Sequence, residues 1–188
     1  DILRGWEALK GAAKPRLHLC IATSEIHMKY KYDTTPEAVF EKAIASIKLA
    51  KSLCDDIEFS CEDFSRSDPA FLYPLLEAAI EAGATTVNLP DTVGYALPDE
   101  FGRMISGVVD NVPNIGKAVI SIHCHNDLGM GTANSLVALQ NGARQVETTI
   151  NGIGERAGNC AMEELIMALT VRGDCAGFTH GIDTAKIY

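Results

Sequence analysis

Two histidines one position apart, directly after an apolar run, are the residues best suited to chemistry. His123-Cys124-His125 follows residues 118–122. Because side chains alternate along a strand, His123 and His125 project from one face and Cys124 from the other. Neutral imidazole binds Mn, Fe, Co or Zn well, and α/β proteins place their chemistry at the C-terminal ends of parallel strands. The pair is a candidate metal site. The alternative is two polar residues satisfied by hydrogen bonds.

A glycine-rich turn, NGIGERAGN at residues 151–159, follows the last predicted strand. Its spacing is G-x-G-x-x-x-G, which differs from the dinucleotide fingerprint, and no later strand offers an acidic residue for a ribose. We therefore reject a dinucleotide site. The free backbone N–H groups of such a turn could bind an anion. Alternatively, Asn159 caps a helix that begins at Cys160.

Polar residues also follow the other predicted strands. They are Thr23, Ser24 and His27 after the first, Ser60, Glu62 and Asp63 after the second, and Asn88, Asp91 and Thr92 after the third. Each one alone could be an ordinary loop residue. Together they are typical of a site at the C-terminal rim of a barrel, because five successive strands end in polar or ionisable side chains.

The elements that must position these residues alternate between strand and helix. Predicted strands cover residues 17–21, 57–60, 85–89, 118–122 and 145–150, and predicted helices cover residues 1–10, 36–50, 69–82, 98–110, 131–141 and 160–172. This alternation predicts right-handed βαβ units and a parallel sheet. A doubly wound domain of five strands suits the length, whereas a (β/α)₈ barrel needs about 250 residues. The chain could therefore supply only strands four to eight of a barrel.

Local signals predict where several helices begin and end. Thr35-Pro36 and Asp68-Pro69 each pair an N-cap residue with a proline at the first helical position. Gly83 and Gly142 are predicted to close two helices. Pro74 does not fit a continuous helix, so we expect it to kink the first turn or to delay the helix start.

Composition excludes several classes of protein. The 188 residues carry a formal net charge of -9, which argues against a large nucleic-acid footprint. No apolar run approaches the roughly 18 residues of a membrane span. The six cysteines contain no C-x-x-C pair and lie in apolar segments. They favour reduced, mostly buried thiols in a cytoplasmic protein over a disulfide framework.

Five stretches of this sequence resemble the α-isopropylmalate synthase family, within the DRE-TIM metallolyase group of barrels. They are IATSEIHMKYK, DDIEFSCEDFSRSD, EAGATTVNLPDTVGYALP, ISIHCHNDLGMGTANSLVAL and GARQVETTINGIGERAGNCAMEEL, in the family's order. The resemblance implies a TIM (β/α)₈ barrel, present here as a partial barrel of strands four to eight over residues 1–172. Residues 173–188 would begin a linker toward an absent C-terminal region.

The resemblance also implies roles for individual residues. The family's two histidine ligands of a divalent metal ion (Mn, Mg or Zn) match His123 and His125, and its weaker asparagine ligand matches Asn159. The residues implied to contact the keto acid are His27, Ser60 and Thr92. The implied catalytic residue is Glu62. Acetyl-CoA would approach at Asn151, Gly154 and Glu155. Glu62 would orient the thioester or assist proton transfer.

The reaction implied by this resemblance condenses acetyl-CoA with 2-oxoisovalerate to 2-isopropylmalate and CoA, the first committed step of leucine biosynthesis. It implies a cytoplasmic enzyme that is a homodimer in its full-length form, with no nucleic acid or membrane partner. The D-R-E tripeptide that carries the family's aspartate ligand does not occur here. We therefore expect the chain alone to be inactive.

Two alternatives remain open at the level of sequence. The first is a sister acyltransferase that acts on another keto acid, such as a homocitrate or citramalate synthase. The second is a non-catalytic α/β binding module of five strands. Sheet geometry separates the module from the barrel: a curved sheet with His123 and His125 on its concave side favours the barrel, and a flat doubly wound sheet favours the module.

Overall fold

Five parallel strands form one sheet whose spatial order follows the chain. The computed structural model describes residues 1–187. Its strands are β1 (Leu17–Ala22), β2 (Ile57–Glu62), β3 (Thr86–Asp91), β4 (Val119–Cys124) and β5 (Gln145–Glu147), in the order β1-β2-β3-β4-β5. A doubly wound sheet requires a reversal of strand order. This order has none, so right-handed crossovers place the helices on one face of the sheet.

The helices fall between the strands where the sequence predicts them. They are α1 (Ile2–Leu9), α2 (Glu25–His27), α3 (Pro36–Lys51), α4 (Pro69–Glu81), α5 (Pro98–Asn111), α6 (Gly131–Gln140), α7 (Met162–Val171) and α8 (Gly173–Ala176). Thr35 and Asp68 cap α3 and α4 as predicted, because each side chain accepts a backbone N–H bond. Within residues 1–187, no helix is both long and apolar enough to cross a bilayer.

Two local predictions differ from the structure. Helix α4 begins at Pro69 and continues through Pro74 to Glu81, so the proline does not delay the helix start. Strand β5 stops at Glu147, and the chain then enters a 3₁₀ turn at Ile150–Gly152. The pairing of β5 with β4 ends at Glu147, because the chain there turns toward α7.

The outer face of the sheet and the helices share one apolar core. The alternate strand residues on this face are fully or almost fully buried: Ile57, Phe59 and Cys61 of β2, Val87 and Leu89 of β3, and Ile120, Ile122 and Cys124 of β4. Helices α3, α4 and α5 cover them with apolar stripes centred on Ile47, Leu76 and Ile105. This packing fixes the register of every strand, since a shift by one residue would turn polar side chains into the core.

The other face is polar, and its contacts show that the sheet is curved. Arg16, just before β1, donates to Oε1 of Gln145 in β5 at 2.9 Å, and Gln145 Nε2 donates to Oε1 of Glu58 in β2 at 2.8 Å. His18 Nδ1 lies 4.0 Å from Oε1 of Glu147. In a flat sheet β1 and β5 would be roughly 19 Å apart, beyond the reach of these side chains. The sheet therefore curls around its polar face.

The five cysteines whose side chains are described are free thiols. Cys54, Cys61, Cys124 and Cys160 are buried as predicted. Cys20 differs, because it lies exposed on the concave side of the edge strand β1. The side chain of Cys175 and the whole of Tyr188, the last residue of the predicted linker, lie outside the described part of the chain.

The core predicts a clear difference between two leucines. Leu76 in α4 is fully buried, and Leu49 in α3 is 42% exposed. We expect Leu76→Ala to lower the free energy of unfolding by about 2–5 kcal/mol, because it leaves a cavity among packed side chains. Leu49→Ala should stay within about 0.5 kcal/mol. Urea denaturation of both variants measures the difference, and equal losses would contradict this description of the core.

Candidate active site

The two histidines predicted to share a face do so. His123 and His125 bring their Nε2 atoms within 3.2 Å of each other, with their rings nearly perpendicular. Cys124 points into the core on the opposite face. Two nitrogens that each lie about 2.1 Å from one metal ion at cis positions are about 3.0–3.4 Å apart, so this separation fits a shared ion. The alternation of side chains along β4 creates the pair.

Asn159 lies beside this pair, but it does not cap a helix. It forms an isolated antiparallel bridge with His125, and α7 begins only at Met162, with Ala161 as its N-cap residue. The helix-cap interpretation of Asn159 is therefore wrong. Its side-chain Oδ1 is buried without a hydrogen-bond partner. A buried acceptor of this kind needs a partner, and an amide oxygen suits Mg or Mn.

The electrostatics of the site favour neutral histidine. Burial lowers the pKa of His125, and the neighbouring His123 lowers it further. A metal ligand must carry a free lone pair, so a histidine that stays neutral at neutral pH is ready to bind. His123 Nε2, His125 Nε2 and Asn159 Oδ1 are nitrogen and oxygen donors of the types that divalent cations bind.

Glycines make the close packing of the 151–159 turn possible. A Cβ on Gly154 would lie 2.5–2.9 Å from the side-chain amide atoms of Asn159. Gly158 has a φ of +93° and would place a Cβ against the carbonyl oxygen of Gly152. That same carbonyl accepts the N–H of Asn159 at 2.9 Å, and the Gly158 carbonyl accepts the N–H of Asn126 at 2.9 Å. The turn thereby presses Asn159 against the end of β4.

Arg156 ties three loops together at this edge of the sheet. Its Nε and Nη2 each donate to Asp127 at 2.9 Å, and Nη2 also donates to the backbone oxygen of Thr92 at 2.7 Å. The hydrogen bonds from Arg156 lower the pKa of Asp127. A paired guanidinium fixes geometry as well as charge. The loops after β3, β4 and β5 are thus held at one point.

Three of the predicted substrate and catalytic residues form one contact group. His27 Nδ1 lies 3.0 Å from the Asp63 carboxylate, and its Nε2 lies 3.6 Å from Glu62. Thr92 Oγ1 accepts the N–H of Asp63 at 2.8 Å. Glu62 also accepts two bonds from Lys31, at 2.7 and 2.8 Å. Glu62 and His27 are therefore in contact, and Asp63 connects both of them to Thr92.

Ser60 belongs to a second group that extends toward the histidine pair. Its Oγ lies 2.6 Å from His18 Nε2 and accepts from Asn88 Nδ2 at 2.8 Å. Asn88 Nδ2 also lies 3.3 Å from Glu147 Oε2, and Glu147 Oε2 lies 3.1 Å from His123 Nδ1. Ser60 is thus connected to His123 through two side chains.

The residues predicted to meet acetyl-CoA lie on the outside of the turn. Asn151 has a φ of +58°, and its N–H donates to the Glu163 carboxylate at 2.9 Å. Glu155 is exposed, whereas Gly154 packs against Asn159. Asp91, a polar residue noted at the end of β3, is fully buried and accepts from Ser65 at 2.9 Å. It anchors the loop and lies on the outer face, away from the histidines.

Three residues of the concave face have no role predicted from the sequence. His18, Glu58 and Glu147 bring ligand atoms within 4.8 Å of one another. Arg16 and Gln145 already occupy the two oxygens of Glu58, so this cluster is a salt-bridge network and not an open cation site. Its signal in the sequence was the alternation of polar residues along β2 and β5.

Comparison with known proteins identifies relatives of this chain. The HMGL-like family profile matches residues 1–188. The 2-isopropylmalate synthases of Ruminiclostridium cellulolyticum and Carboxydothermus hydrogenoformans are 60% and 57% identical over 188 residues, all of this chain and 37% of each relative. The chain thus spans little more than a third of their length.

Solved structures show the same fold. An HMG-CoA lyase from Acinetobacter baumannii, in complex with coenzyme A and 3-methylmalate, matches with a TM-score of 0.78 and 22% identity, over 99% of this chain and 61% of that one. The hydroxymethylglutaryl-CoA lyase from Pseudomonas aeruginosa matches with a TM-score of 0.80 and 19% identity, over 98% of this chain and 63% of that one.

The glycine turn gives a prediction about packing. We expect Gly154→Ala to lower the free energy of unfolding by about 1–3 kcal/mol, because the new methyl group overlaps the Asn159 amide. Gly116→Ala is the matched control, since a Cβ there meets nothing within 4 Å. Urea denaturation measures both, and amide chemical shifts of residues 125 and 159 report the displacement. An unperturbed Gly154→Ala variant would contradict this packing.

Proposed function

This chain belongs to the HMGL-like family, and on that premise we propose that it is part of the catalytic domain of an acyltransferase that makes 2-isopropylmalate. The reaction joins acetyl-CoA and 2-oxoisovalerate, and water releases CoA. One observation carries the proposal. A histidine pair with its Nε2 atoms 3.2 Å apart is bridged through the His125 backbone to Asn159, whose side-chain oxygen is buried without a partner, in a chain 60% identical to a 2-isopropylmalate synthase. A cytoplasmic role in leucine biosynthesis is part of the same proposal.

The proposed fold is the second part of a (β/α)₈ barrel, strands four to eight. Its support is the unreversed strand order and the side-chain contacts between β1 and β5. The 61–63% of the lyase chains that this chain covers is close to the share that five of eight βα units occupy. Sites in such barrels form at the C-terminal ends of the strands, where the histidine pair lies.

The residues proposed to hold the metal are His123, His125 and Asn159. A divalent cation there supplies Lewis-acid polarisation of the keto acid's carbonyl group. The family resemblance leaves its identity among Mn, Mg and Zn, and the donor set of two imidazoles and an amide oxygen suits each of them in part. The protein's contribution is to hold these three side chains before the ligand arrives.

The other side chains bind and orient the two substrates. Thr92 and Ser60 are proposed to contact the keto acid, and His27 lines the same pocket. Glu62 lies 3.6 Å from His27 and is proposed to orient the thioester or to accept a proton from the acetyl methyl group. The carbanion so formed attacks the keto carbon. Hydrolysis of the thioester then releases CoA and a carboxylate.

The exposed turn at residues 151–155 is the proposed approach for acetyl-CoA. Asn151 and Glu155 lie on its surface, and Gly154 gives it a close approach of backbone to Asn159. Backbone N–H groups in such turns bind anions, and CoA carries phosphates. A homodimer of the full-length protein completes the proposal.

A chimera tests the function directly. The matching 188 residues of the Ruminiclostridium cellulolyticum relative are replaced by this chain, and CoA release is measured with 2-oxoisovalerate, pyruvate and 2-oxoglutarate, with and without Mn²⁺. We expect activity that depends on the metal and prefers 2-oxoisovalerate. His123→Ala should reduce it about 100-fold or more, because a Lewis acid contributes several kcal/mol.

His180→Ala is the matched control for the chimera. His180 bonds Thr170 away from the site, so we expect its loss to leave CoA release unchanged. A folded chimera that prefers pyruvate or 2-oxoglutarate would assign the chain to a sister acyltransferase. A folded chimera that keeps full activity after His123→Ala would contradict the proposed metal site.

A further inference from the structure

Glu147 lies next to His123 on the neighbouring strand of the sheet. His123 in β4 and Glu147 in β5 are register partners in a parallel pair, so their side chains leave the same face side by side. Glu147 Oε2 lies 3.1 Å from His123 Nδ1. The contact follows from backbone pairing, and the strands hold it in place.

We propose that Glu147 positions His123 for metal binding by accepting the Nδ1 proton, which leaves Nε2 free to bind the cation. This inference rests on the proposed function, because it assigns the metal to His123. A histidine that binds a metal through one ring nitrogen usually donates from the other to a carboxylate or carbonyl oxygen. In this chain Nε2 faces His125 and Nδ1 faces Glu147.

The surroundings of Glu147 fix the position of its carboxylate, whose Oε2 atom faces His123 Nδ1. Asn88 Nδ2 lies 3.3 Å from the same Oε2 atom, and His18 Nδ1 lies 4.0 Å from Oε1. Both neighbours restrict the movement of the carboxylate.

The Nδ1 atom of His123 is not yet well paired. His123 Nδ1 is buried and makes no well-aligned hydrogen bond, although the Glu147 oxygen is only 3.1 Å away. Bonds of this kind are often poorly aligned before a ligand binds and tighten afterwards. We expect Nδ1–H to align with Glu147 when a cation binds Nε2.

Two readouts on the 188-residue chain test this role, and neither depends on activity. The first is Co²⁺ affinity, followed by absorption and calorimetry. We expect Glu147→Gln to weaken Co²⁺ binding by about 10-fold to 100-fold, the usual effect of losing such a partner. Glu81→Gln is the matched control. It neutralises an exposed carboxylate that pairs with Lys117 at the end of α4, and it should keep Co²⁺ affinity within about 2-fold of the original.

The second readout is the tautomer of His123 in the metal-free chain, measured from ¹⁵N–¹H couplings of the imidazole rings. We expect the proton on Nδ1, and we expect Glu147→Gln to shift population toward Nε2–H. A role limited to stability would change the unfolding midpoint without changing the tautomer. Circular dichroism and urea denaturation of each variant confirm that the comparison is between folded proteins.

The outcomes separate this inference from the proposed function. If His123→Ala or His125→Ala binds Co²⁺ as tightly as the original chain, or if neither that chain nor the chimera described above binds Co²⁺, the metal site itself is wrong. If both alanine variants lose binding while Glu147→Gln does not, only the role of Glu147 is wrong. A dominant Nε2–H tautomer in the original chain overturns the role of Glu147 whether or not Co²⁺ binds.

Discussion

The buried carboxylate of Glu58 has to be paired, and the way in which it is paired shapes the rest of the molecule. Glu58 is 4% exposed on the inner face of β2. An unpaired charge there would be very costly, so its two oxygens need donors. Arg16 approaches from the start of β1 and Gln145 from the start of β5. Gln145 can reach Glu58 only if the ends of the sheet bend toward each other, which directs all the strand ends toward one region.

That curvature makes one site out of side chains from different strands. Above the Arg16 network, His123 meets its register partner Glu147, and Ser60 and Asn88 fill the space between β1 and β5. At the rim, Arg156 fastens the loops, and glycines let Asn159 lie against His125. The apolar outer face and the polar inner face have separate tasks. The outer face fixes the register of the strands, and the inner face carries the side chains of the proposed site.

Much of the fold was readable from local signals, and the errors have physical causes. The caps at Thr35 and Asp68 and the shared face of His123 and His125 depend on neighbours in sequence, so they were predicted. Pro74 was misjudged because the packing of α4 on the sheet outweighs the loss of one hydrogen bond. The position of Asn159 just before a predicted helix suggested a helix cap, but its backbone forms a bridge with His125 instead.

By itself, the sequence determined the alternation of strand and helix, the parallel sheet and the candidate ligands of the metal, because these follow from periodicity and from short motifs. Only the tertiary structure decided the unreversed strand order, the curvature of the sheet and the partners of its polar face. Arg16 and Gln145 are 129 positions apart in the chain, and Asn88 and Glu147 are 59 apart. Contacts over such distances depend on register and bending, which no local pattern encodes.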